Sequence, residues 1–183
     1  MNEKNLTKVV FGPVRFSYVH VFTPDSINGS EAKYSVSIII PKSDKKTIKS
    51  LEKAIELAKQ NGINDKWKGT EPKKLQLPLH DGDEDKTDEA YQNCIYLNAK
   101  CKTKPGVVHS KRQPIIDEEE FYSGCYGYAS VTFYAYDANG NKGVSAGLNN
   151  VMKTKDGERL GGRISADQDF AEIDEISDDE EDL

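Results

Sequence analysis

Residues 125–152 read CYGYASVTFYAYDANGNKGVSAGLNNVM, and this pattern predicts a β-hairpin. The first half alternates apolar side chains with polar or tyrosine side chains, which is typical of a strand with one face against a core. Turn-forming residues around Asn139-Gly140 then favour a tight connection. We therefore expect antiparallel strands over residues 125–137 and 142–152. Their inward-facing side chains are expected to be Ala129, Val131, Phe133 and Ala135 in the first strand and Val144, Ala146 and Leu148 in the second.

Three segments upstream also have strand patterns. Residues 9–22 are rich in β-branched and aromatic side chains but contain Gly12-Pro13, so they form either two short strands or one bent strand. In residues 33–40 every second residue is apolar or aromatic, which places Tyr34, Val36, Ile38 and Ile40 on one face and predicts a half-buried strand. In residues 94–102 the odd positions are apolar, whereas the even positions are aromatic, polar or basic. One face of that strand therefore belongs to the core, and the other is available to an anionic ligand.

The sequence predicts one helix. Apolar residues recur with a 3.6-residue period over residues 44–60, Ser43 fits an N-cap, and Asn61-Gly62 favours the end of the helix. Residues 63–93 are irregular, and a loop of this length in a compact domain is usually functional or mobile. About five strands with one amphipathic helix are compatible with a mainly β, five-stranded barrel of the oligonucleotide-binding (OB) kind. Strand spacing alone does not distinguish this barrel from a β-sandwich.

The charge is divided unevenly along the chain. Its 183 residues include 25 Lys and Arg and 31 Asp and Glu. Residues 167–183 hold ten of the acids and no Lys or Arg, which leaves residues 1–166 with 21 acids and a net charge of about +4. We therefore expect a mildly basic domain over residues 1–166 and a disordered or partly helical acidic tail over residues 167–183. This layout is found among nucleic-acid-binding proteins.

The sequence does not support several classes of function. No apolar run approaches the roughly 18 residues that span a bilayer, and the N-terminus lacks a secretory signal, so a cytoplasmic protein is expected. The three cysteines form no CxxC pair, and the three histidines lack a catalytic partner at a recognisable spacing. The acidic stretch Asp81-Gly82-Asp83-Glu84-Asp85 breaks the ligand pattern of a calcium loop. We therefore expect no enzyme activity, no cofactor and no metal.

Aromatic and basic side chains together point to single-stranded nucleic acid, because unpaired bases stack on flat rings while Lys and Arg follow the phosphates. The candidate DNA-binding residues are Tyr96, Lys100, Lys102, Lys104, Lys111, Arg112, Trp67, Tyr126 and Tyr128. Trp67 stands between two lysines and fits either a base-stacking ring or a buried loop anchor. The tyrosines of the hairpin fit either base stacking or a cross-strand packing ladder.

The acidic tail also contains apolar side chains. Phe170, Ile173 and Ile176 are spaced among its carboxylates, which suits capture by a basic pocket with an apolar floor. The tail is either a solubilising charge run or an internal polyanion that competes with DNA and docks partner proteins. We favour the second interpretation, because the body is basic and the tail is long enough to fold back onto it. The terminal residues expected to act in this way are Asp178, Asp179, Glu180, Glu181, Asp182 and Leu183.

Several motifs follow one another along the chain: Pro78 to Asp83, Lys104 to Val108, Gly124 to Tyr136, Gly140 to Val151 and Asp156 to Gly162, followed by the acidic terminus. Together they resemble a family of bacteriophage and prophage single-stranded DNA-binding proteins. The resemblance covers residues 7–183 of the 183. It implies an OB barrel, single-stranded DNA binding in phage replication or recombination, no catalysis, and a tail that shields the DNA-binding cleft. One difference is that Leu183 is aliphatic where many such tails end in an aromatic residue.

The sequence therefore predicts a non-enzymatic protein that coats exposed single-stranded DNA during phage-type DNA replication or recombination. Its expected partners are single-stranded DNA and replication proteins that bind the tail, and homo-oligomerisation through an edge strand is compatible with the fold. No membrane association is expected. Two alternatives stay open. A metal-dependent nuclease requires magnesium at the acidic stretch 81–85, and a protein-only interaction module or DNA mimic requires the absence of DNA affinity.

Overall fold

The computed structural model describes residues 7–26, 29, 31–138, 140–160, 170 and 173. The helices are α1 (Lys45–Asn64) and α2 (Gly82–Asp85), and a single 3-10 turn covers Glu89–Tyr91. The strands are β1 (Lys8–Asp25), β2 (Lys33–Pro41), β3 (Leu75–Gln76), β4 (His80–Asp81), β5 (Cys94–Cys101), β6 (Gly106–His109), β7 (Tyr126–Ala138) and β8 (Asn141–Lys155).

Five of these strands close into a barrel. β7, β1, β2 and β5 follow one another as antiparallel neighbours, and β8 returns beside β7 as its hairpin partner. β8 also pairs in parallel with β5, through Ala99 opposite Ala146 and Lys100 opposite Gly147. Because the sheet closes on itself, the fold is a barrel and not a sandwich. The predicted mainly β, OB-like five-stranded barrel with one main helix is confirmed.

The β7–β8 hairpin provides much of the core. All seven side chains predicted to face inward are buried, because the period of two places them together on the inner face of the closed sheet. The two strands are somewhat longer than the sequence pattern indicated, and their register shifts between Ser130 and Val131. The hairpin therefore follows its local sequence pattern closely.

β1 is one long strand and not two. It pairs with β7 on both sides of Gly12-Pro13, and the register shifts between Phe11 and Val14. The peptide bond between Gly12 and Pro13 is cis. Of the two forms that the sequence allowed, the single strand with an interruption is the one observed.

Helix α1 begins and ends later than predicted. Its N-cap is Asp44, whose Oδ1 accepts a hydrogen bond from the Thr47 amide at 3.2 Å, so the assignment of Ser43 was wrong. The helix continues through Gly62 to Asn64, because Gly62 is buried against the barrel and the absence of a side chain allows this close approach. None of the helices in the described part of the chain is long and apolar enough to cross a membrane.

The segment between α1 and β5 is more ordered than its sequence suggested. It contains two short strands, α2 and the 3-10 turn, and it covers part of the outer face of β2 and β5. Ile39, Tyr91 and Tyr96 form a second apolar cluster there, and the Tyr91 hydroxyl donates a hydrogen bond to Ser37 Oγ at 2.9 Å. Residues 36–40 of β2 are therefore buried on both faces, and the prediction of a half-buried strand was wrong for this part.

Candidate nucleic-acid interface

A groove of about 900 Å³ lies on the outer face of the barrel, between β5, β7, β8 and residues 76–80. We call it the basic groove. Its charged and aromatic lining residues are Lys33, Lys100, Lys102, His80, Tyr134 and Tyr136. None of the described residues that line it carries a carboxylate. The basic groove therefore offers positive charge and aromatic rings to a ligand.

Strand pairing sets a lysine and a tyrosine on either side of a narrow floor. Gly147 of β8 lies opposite Lys100 of β5 on one side and opposite Thr132 of β7 on the other. The neighbouring pair on β7 and β8 joins Tyr134 to Ser145. Adjacent strands are about 4.8 Å apart, so Lys100 and Tyr134 are separated by about two strand spacings across the sheet and by two residues along it. Gly147 and Ser145 therefore form the floor of the groove, between Lys100 on one side and Tyr134 on the other.

Tyr134 is the ring in the groove that is most accessible to a ligand. Its side chain is 47% exposed, and the ring edge lies 3.5 Å from the position of a Cβ at Gly147. Tyr136 is held more firmly, because its hydroxyl donates a hydrogen bond to Gln76 Oε1 at 2.8 Å. Gln76 belongs to β3, which pairs with β8 and forms the opposite wall. Tyr134 is thus free to stack against a base, whereas Tyr136 fixes the wall.

Lys100 and Lys102 occupy the positions that the alternation of residues 94–102 predicted. Both are exposed and line the basic groove. The ammonium group of Lys102 lies 3.5 Å from Glu31, in an exposed ion pair that contributes little stability. No ion pair is formed by Lys100 within the described residues. Lys100 is therefore the better placed of the two to meet a phosphate.

Tyr96 does not present a free ring, although it lies on the same face of β5. The neighbouring segment covers it: Tyr91 packs edge-on with ring centroids 5.2 Å apart, and His80 lies at 5.1 Å. Its hydroxyl donates a hydrogen bond to Asp85 Oδ2 at 3.2 Å. Burial and this bond raise the pKa of Tyr96 to about 12. The expectation that Tyr96 stacks a base is not supported by this packing.

Trp67 is a core residue. Its side chain is 3% exposed and packs in the main hydrophobic core, and its indole nitrogen donates a hydrogen bond to the Tyr136 carbonyl oxygen at 3.1 Å. A ring in this position has no free face for a base. Of the two interpretations of Trp67, the buried loop anchor is therefore the one that the structure supports.

The other predicted tyrosines lie at the far end of β7. Tyr126 and Tyr128 are six to eight residues from Tyr134, which at about 3.3 Å per residue places them some 20–26 Å along the strand. Tyr126 has the Arg15 guanidinium 5.2 Å from its ring centroid and the Lys155 ammonium at 5.8 Å. These two tyrosines are therefore not part of the basic groove.

A polar track lies between the two ends of β7. The Asn149 side-chain amide donates hydrogen bonds to Thr132 Oγ1 at 2.9 Å and to Ser130 Oγ at 3.4 Å. These three residues lie between Tyr134 and Tyr128 on the outer face. The track is neutral and pairs its own polar atoms, so it offers neither a cation nor a free ring to a ligand.

The remaining predicted cations lie in loops outside the basic groove. Lys104 is exposed and has its ammonium 6.0 Å from the Phe22 ring centroid. Lys111 and Arg112 occupy the tip of a tight turn in which the His109 amide donates to the Gln113 carbonyl at 3.1 Å. All three are solvent-exposed. The structure therefore brings Lys100 and Lys102 together with Tyr134 and leaves the loop cations apart.

Several groove residues were not singled out from the sequence. Lys33 begins β2, His80 begins β4, and Leu77 is an exposed apolar residue just before it. No local pattern marks Lys33 or His80, because each reaches the groove only through tertiary packing. Asn98 and Lys100 share one face of β5, and that alternation was visible in the sequence.

The acidic stretch 81–85 is bound by a lysine. The Lys42 ammonium lies 2.8 Å from Asp81 Oδ1 and 2.7 Å from Asp83 Oδ2. These bonds hold the pKa of both carboxyls below the usual value and raise the pKa of Lys42. Asp83 Oδ1 also accepts a hydrogen bond from the Asn93 amide at 2.9 Å. In the described ranges, no three His, Cys, Asp or Glu side chains are grouped to hold a metal ion.

Comparison with known proteins places this chain in a family. A family model described as the single-stranded DNA-binding protein of Enterobacter phage Enc34 matches residues 7–183. The chain belongs to this family. The predicted resemblance is confirmed. A phage relative is protein p50 of Acyrthosiphon pisum secondary endosymbiont phage 1, which is 32% identical over 178 residues. The aligned region covers 91% of this chain and 94% of p50.

Solved structures of single-stranded DNA-binding proteins from two phages share the fold. The single-stranded DNA-binding protein from bacteriophage Enc34 in complex with single-stranded DNA is 27% identical, with a TM-score of 0.76 over 85% of this chain and 90% of that one. The single-stranded DNA-binding protein gp2.5 encoded by bacteriophage T7 is 17% identical, with a TM-score of 0.61 over 92% of this chain and 95% of that one. The T7 protein is evidence for the fold alone. The predicted tail residues 178–183 lie outside the described residues.

Proposed function

We propose that this chain is a non-enzymatic protein that binds single-stranded DNA in the basic groove. The observation that carries the proposal is that exposed Lys100 and exposed Tyr134 lie on opposite sides of Gly147 and Ser145. The described residues that line this groove include no carboxylate. OB barrels bind oligonucleotides on the face of their second and third strands and on the adjacent loops, and here β2 and β5 contribute Lys33 and Lys100 to the groove. The Enc34 protein of the same family, 27% identical, is known in complex with single-stranded DNA.

The proposed mechanism combines ring stacking with phosphate contacts. A base stacked on Tyr134 contributes about 1–3 kcal/mol, and it is available only from an unpaired strand, because a duplex hides its base faces. Lysines at the groove neutralise phosphates and release counterions, so log affinity falls by about 0.7 per contact for each unit of log salt. Stacking then provides the preference for single strands, and charge provides most of the salt dependence.

The test is fluorescence anisotropy of labelled oligo-dT and a matched duplex at several salt concentrations. We expect tight, salt-sensitive binding of oligo-dT by the full chain. Lys100→Ala should weaken binding and reduce the salt slope by about 0.7, whereas Lys53→Ala, an exposed lysine on α1, should change neither. Equal effects of the two substitutions would show that general positive charge, and not the basic groove, binds the DNA.

We further propose that residues 1–166 form the DNA-binding domain and that the acidic tail, residues 167–183, competes with DNA for it. The division of charge supports this role, because the body carries about +4 and the tail ten acids. A duplex, whose bases are stacked on one another and unavailable to Tyr134, should fail to displace the tail, whereas a single strand should succeed. A truncation ending at Ala166 should therefore gain duplex affinity. Equal duplex affinity with and without the tail would contradict this role.

We also propose that the protein coats exposed strands in phage DNA replication or recombination, with the tail docking replication proteins. A coating role requires that the DNA remain intact. Labelled single-stranded DNA incubated with the protein should keep its full length both with magnesium and with a chelator. Shortening that requires magnesium would instead favour the nuclease alternative.

A further inference from the structure

A second hollow, of about 700 Å³, lies beside the middle of β1 and away from the basic groove. Its walls are residues 17–23 of β1, the turn at 88–91, the loop at 118–123 and residues 159–160. The pairing of β1 with β2 shifts register on both sides of His20. Tyr18 has φ 45°, a conformation that bulky residues rarely adopt, and its side chain is 53% exposed. The irregular backbone therefore sets an aromatic ring at this hollow.

The floor of the hollow is apolar and aromatic. Tyr91 and Phe121 are each 1% exposed, and Val19, Phe22 and Tyr122 are partly buried around them. Hollows of this size with an apolar floor and a few polar groups at the edge are typical of binding sites. The floor therefore suits an apolar side chain of a ligand.

The rim of the hollow is acidic. Asp88, Glu89 and Glu118 line it, and none of the three makes an ion pair with a described residue. The lining guanidinium, that of Arg159, is already engaged: it lies 3.4 Å from Glu119 and stacks on the Tyr122 ring at 4.4 Å. His20, the other basic residue of the lining, lies 3.7 Å from Asp25. Three unpaired carboxylates therefore stand against one ammonium at the edge, that of Lys86, and we call this surface the acidic hollow.

This charge selects one class of occupant. Phosphates and the protein's own acidic tail are both repelled by the rim, whereas a cation gains from the carboxylates and from the rings. The same chemistry already operates at the edge of the hollow, where the Lys86 ammonium lies 5.3 Å from the Tyr18 ring centroid and 5.6 Å from that of Tyr91. A lysine or arginine next to an apolar side chain fits both the rim and the floor.

We propose that the acidic hollow is a docking site for a segment of another protein that carries Lys or Arg beside an apolar residue. The hollow shares no lining residue with the basic groove, and the two surfaces have opposite charge. A basic partner can therefore dock while DNA occupies the groove. This inference does not depend on the proposed DNA-binding function, and its test contains no DNA.

The experiment uses residue-resolved NMR on the full chain, labelled with ¹⁵N, at moderate salt. The probe is the hexapeptide amide Lys-Leu-Lys-Lys-Phe-Lys, and the control probe replaces every Lys by Glu. We expect saturable shifts of amides in residues 17–23, 88–91 and 118–123 with the first peptide and none with the second. The double variant Glu89→Gln, Glu118→Gln should bind the probe about fivefold more weakly, as loss of two exposed charge pairs implies.

The matched control is Glu52→Gln, which removes an exposed carboxylate on α1 and should leave probe binding unchanged. Three results would overturn the proposal. Shifts confined to residues 167–183 would show that the tail alone captures the basic peptide. Equal binding by the double variant and the wild type would show that the carboxylates of Glu89 and Glu118 do not contribute to binding of the peptide. Concentration-dependent broadening of the hollow's amides without peptide would identify a second copy of the chain as the occupant.

Discussion

The indole nitrogen of Trp67 donates a hydrogen bond to the main-chain oxygen of Tyr136, at 3.1 Å. Tyr136 lies on the wall of the basic groove, and its hydroxyl bonds to Gln76 on the opposite side. The segment after α1 is thus fastened to β7 by one bond from a side chain to a main-chain oxygen and by one bond between two side chains. A buried ring beneath the groove therefore helps to hold the groove open, without itself reaching a ligand.

Trp67 fluorescence provides a direct check of this arrangement, because the chain has a single tryptophan. We expect blue-shifted emission, weak quenching by acrylamide and almost no change on addition of saturating oligo-dT, since the ring is 3% exposed. Trp67→Ala should reduce the free energy of unfolding by about 3–5 kcal/mol, as for other large core rings. Strong quenching by oligo-dT would instead place the indole against a base.

Substitution of Tyr134 separates the groove from the other tyrosines of β7. Tyr134→Ala should weaken oligo-dT binding by about 1–3 kcal/mol, because a stacking ring is lost, whereas Tyr134→Phe should retain most of the affinity. Tyr128→Ala is the matched control: Tyr128 is also exposed on β7 but lies outside the groove. Anisotropy measures all three. A larger loss for Tyr128→Ala would move the DNA path to the far end of the strand.

Tyr96 should affect alkaline stability more than DNA binding. Burial and the bond to Asp85 raise its pKa to about 12, above the ordinary value of about 10, so the folded protein retains this proton where the unfolded chain loses it. Stability therefore falls as pH rises from about 10 to 12. In Tyr96→Phe this part of the decline should disappear, while oligo-dT affinity at neutral pH stays within about twofold. The measurement is urea denaturation of both proteins across pH 8–12. Parallel plots of unfolding free energy against pH would contradict the assignment of this decline to Tyr96.

Local patterns in the sequence were sufficient to predict the hairpin. Alternation and a turn signal within 28 residues fix which side chains of β7 and β8 face the core, and both signals are short-range. The same alternation correctly set Lys100 on the outer face of β5, and Lys102, one residue beyond the end of the strand, lines the same groove. These parts of the fold depend on neighbours in sequence, so they could be derived without the structure.

Coverage of a face by a distant segment could not be derived in this way. Tyr96 lies on the outer face as predicted, but Tyr91 and His80 come from another segment and close over it. Lys33 reaches the basic groove from a different strand for the same reason. A strand pattern states which residues share a face, and it does not state what packs against that face. The sequence therefore indicated the lysines of the candidate site and left open which of the hairpin tyrosines presents a free ring, because that depends on what packs against each one.

The bridge from Lys42 to Asp81 and Asp83 should make stability sensitive to acid. It keeps the pKa of both carboxyls below the usual value of about 4, so their contribution is present above pH 4 and is lost as pH falls through the lowered values. Lys42→Met removes the partner. The wild type should therefore have the higher urea midpoint from pH 5 to 9, and the difference should shrink below about pH 4. Lys45→Met is the control. A difference that persists undiminished at pH 3 would show that the bridge is not its source.

Substitution of Gly62 by alanine should have two opposing effects on stability: better helix propensity and steric overpacking against β7. Alanine is favoured over glycine inside a helix by about 1 kcal/mol, and Gly62 lies within α1. A Cβ at this position, however, falls 2.5 Å from the Ala135 Cβ and 2.9 Å from a ring carbon of Trp67. Overpacking of this kind costs about 1–3 kcal/mol, so the steric term should win. Gly62→Ala should therefore destabilise the protein despite its better helix propensity.

The double variant Gly62→Ala, Ala135→Gly identifies the cause of this destabilisation. Removing the Ala135 Cβ removes the shortest contact, so part of the lost stability should return. Urea denaturation of the wild type, both single variants and the double variant closes the cycle. A favourable coupling energy of about 1 kcal/mol or more is expected for side chains in direct contact. Strictly additive effects would mean that the contact with Ala135 is not the cause, which leaves the contact with the Trp67 ring as the source.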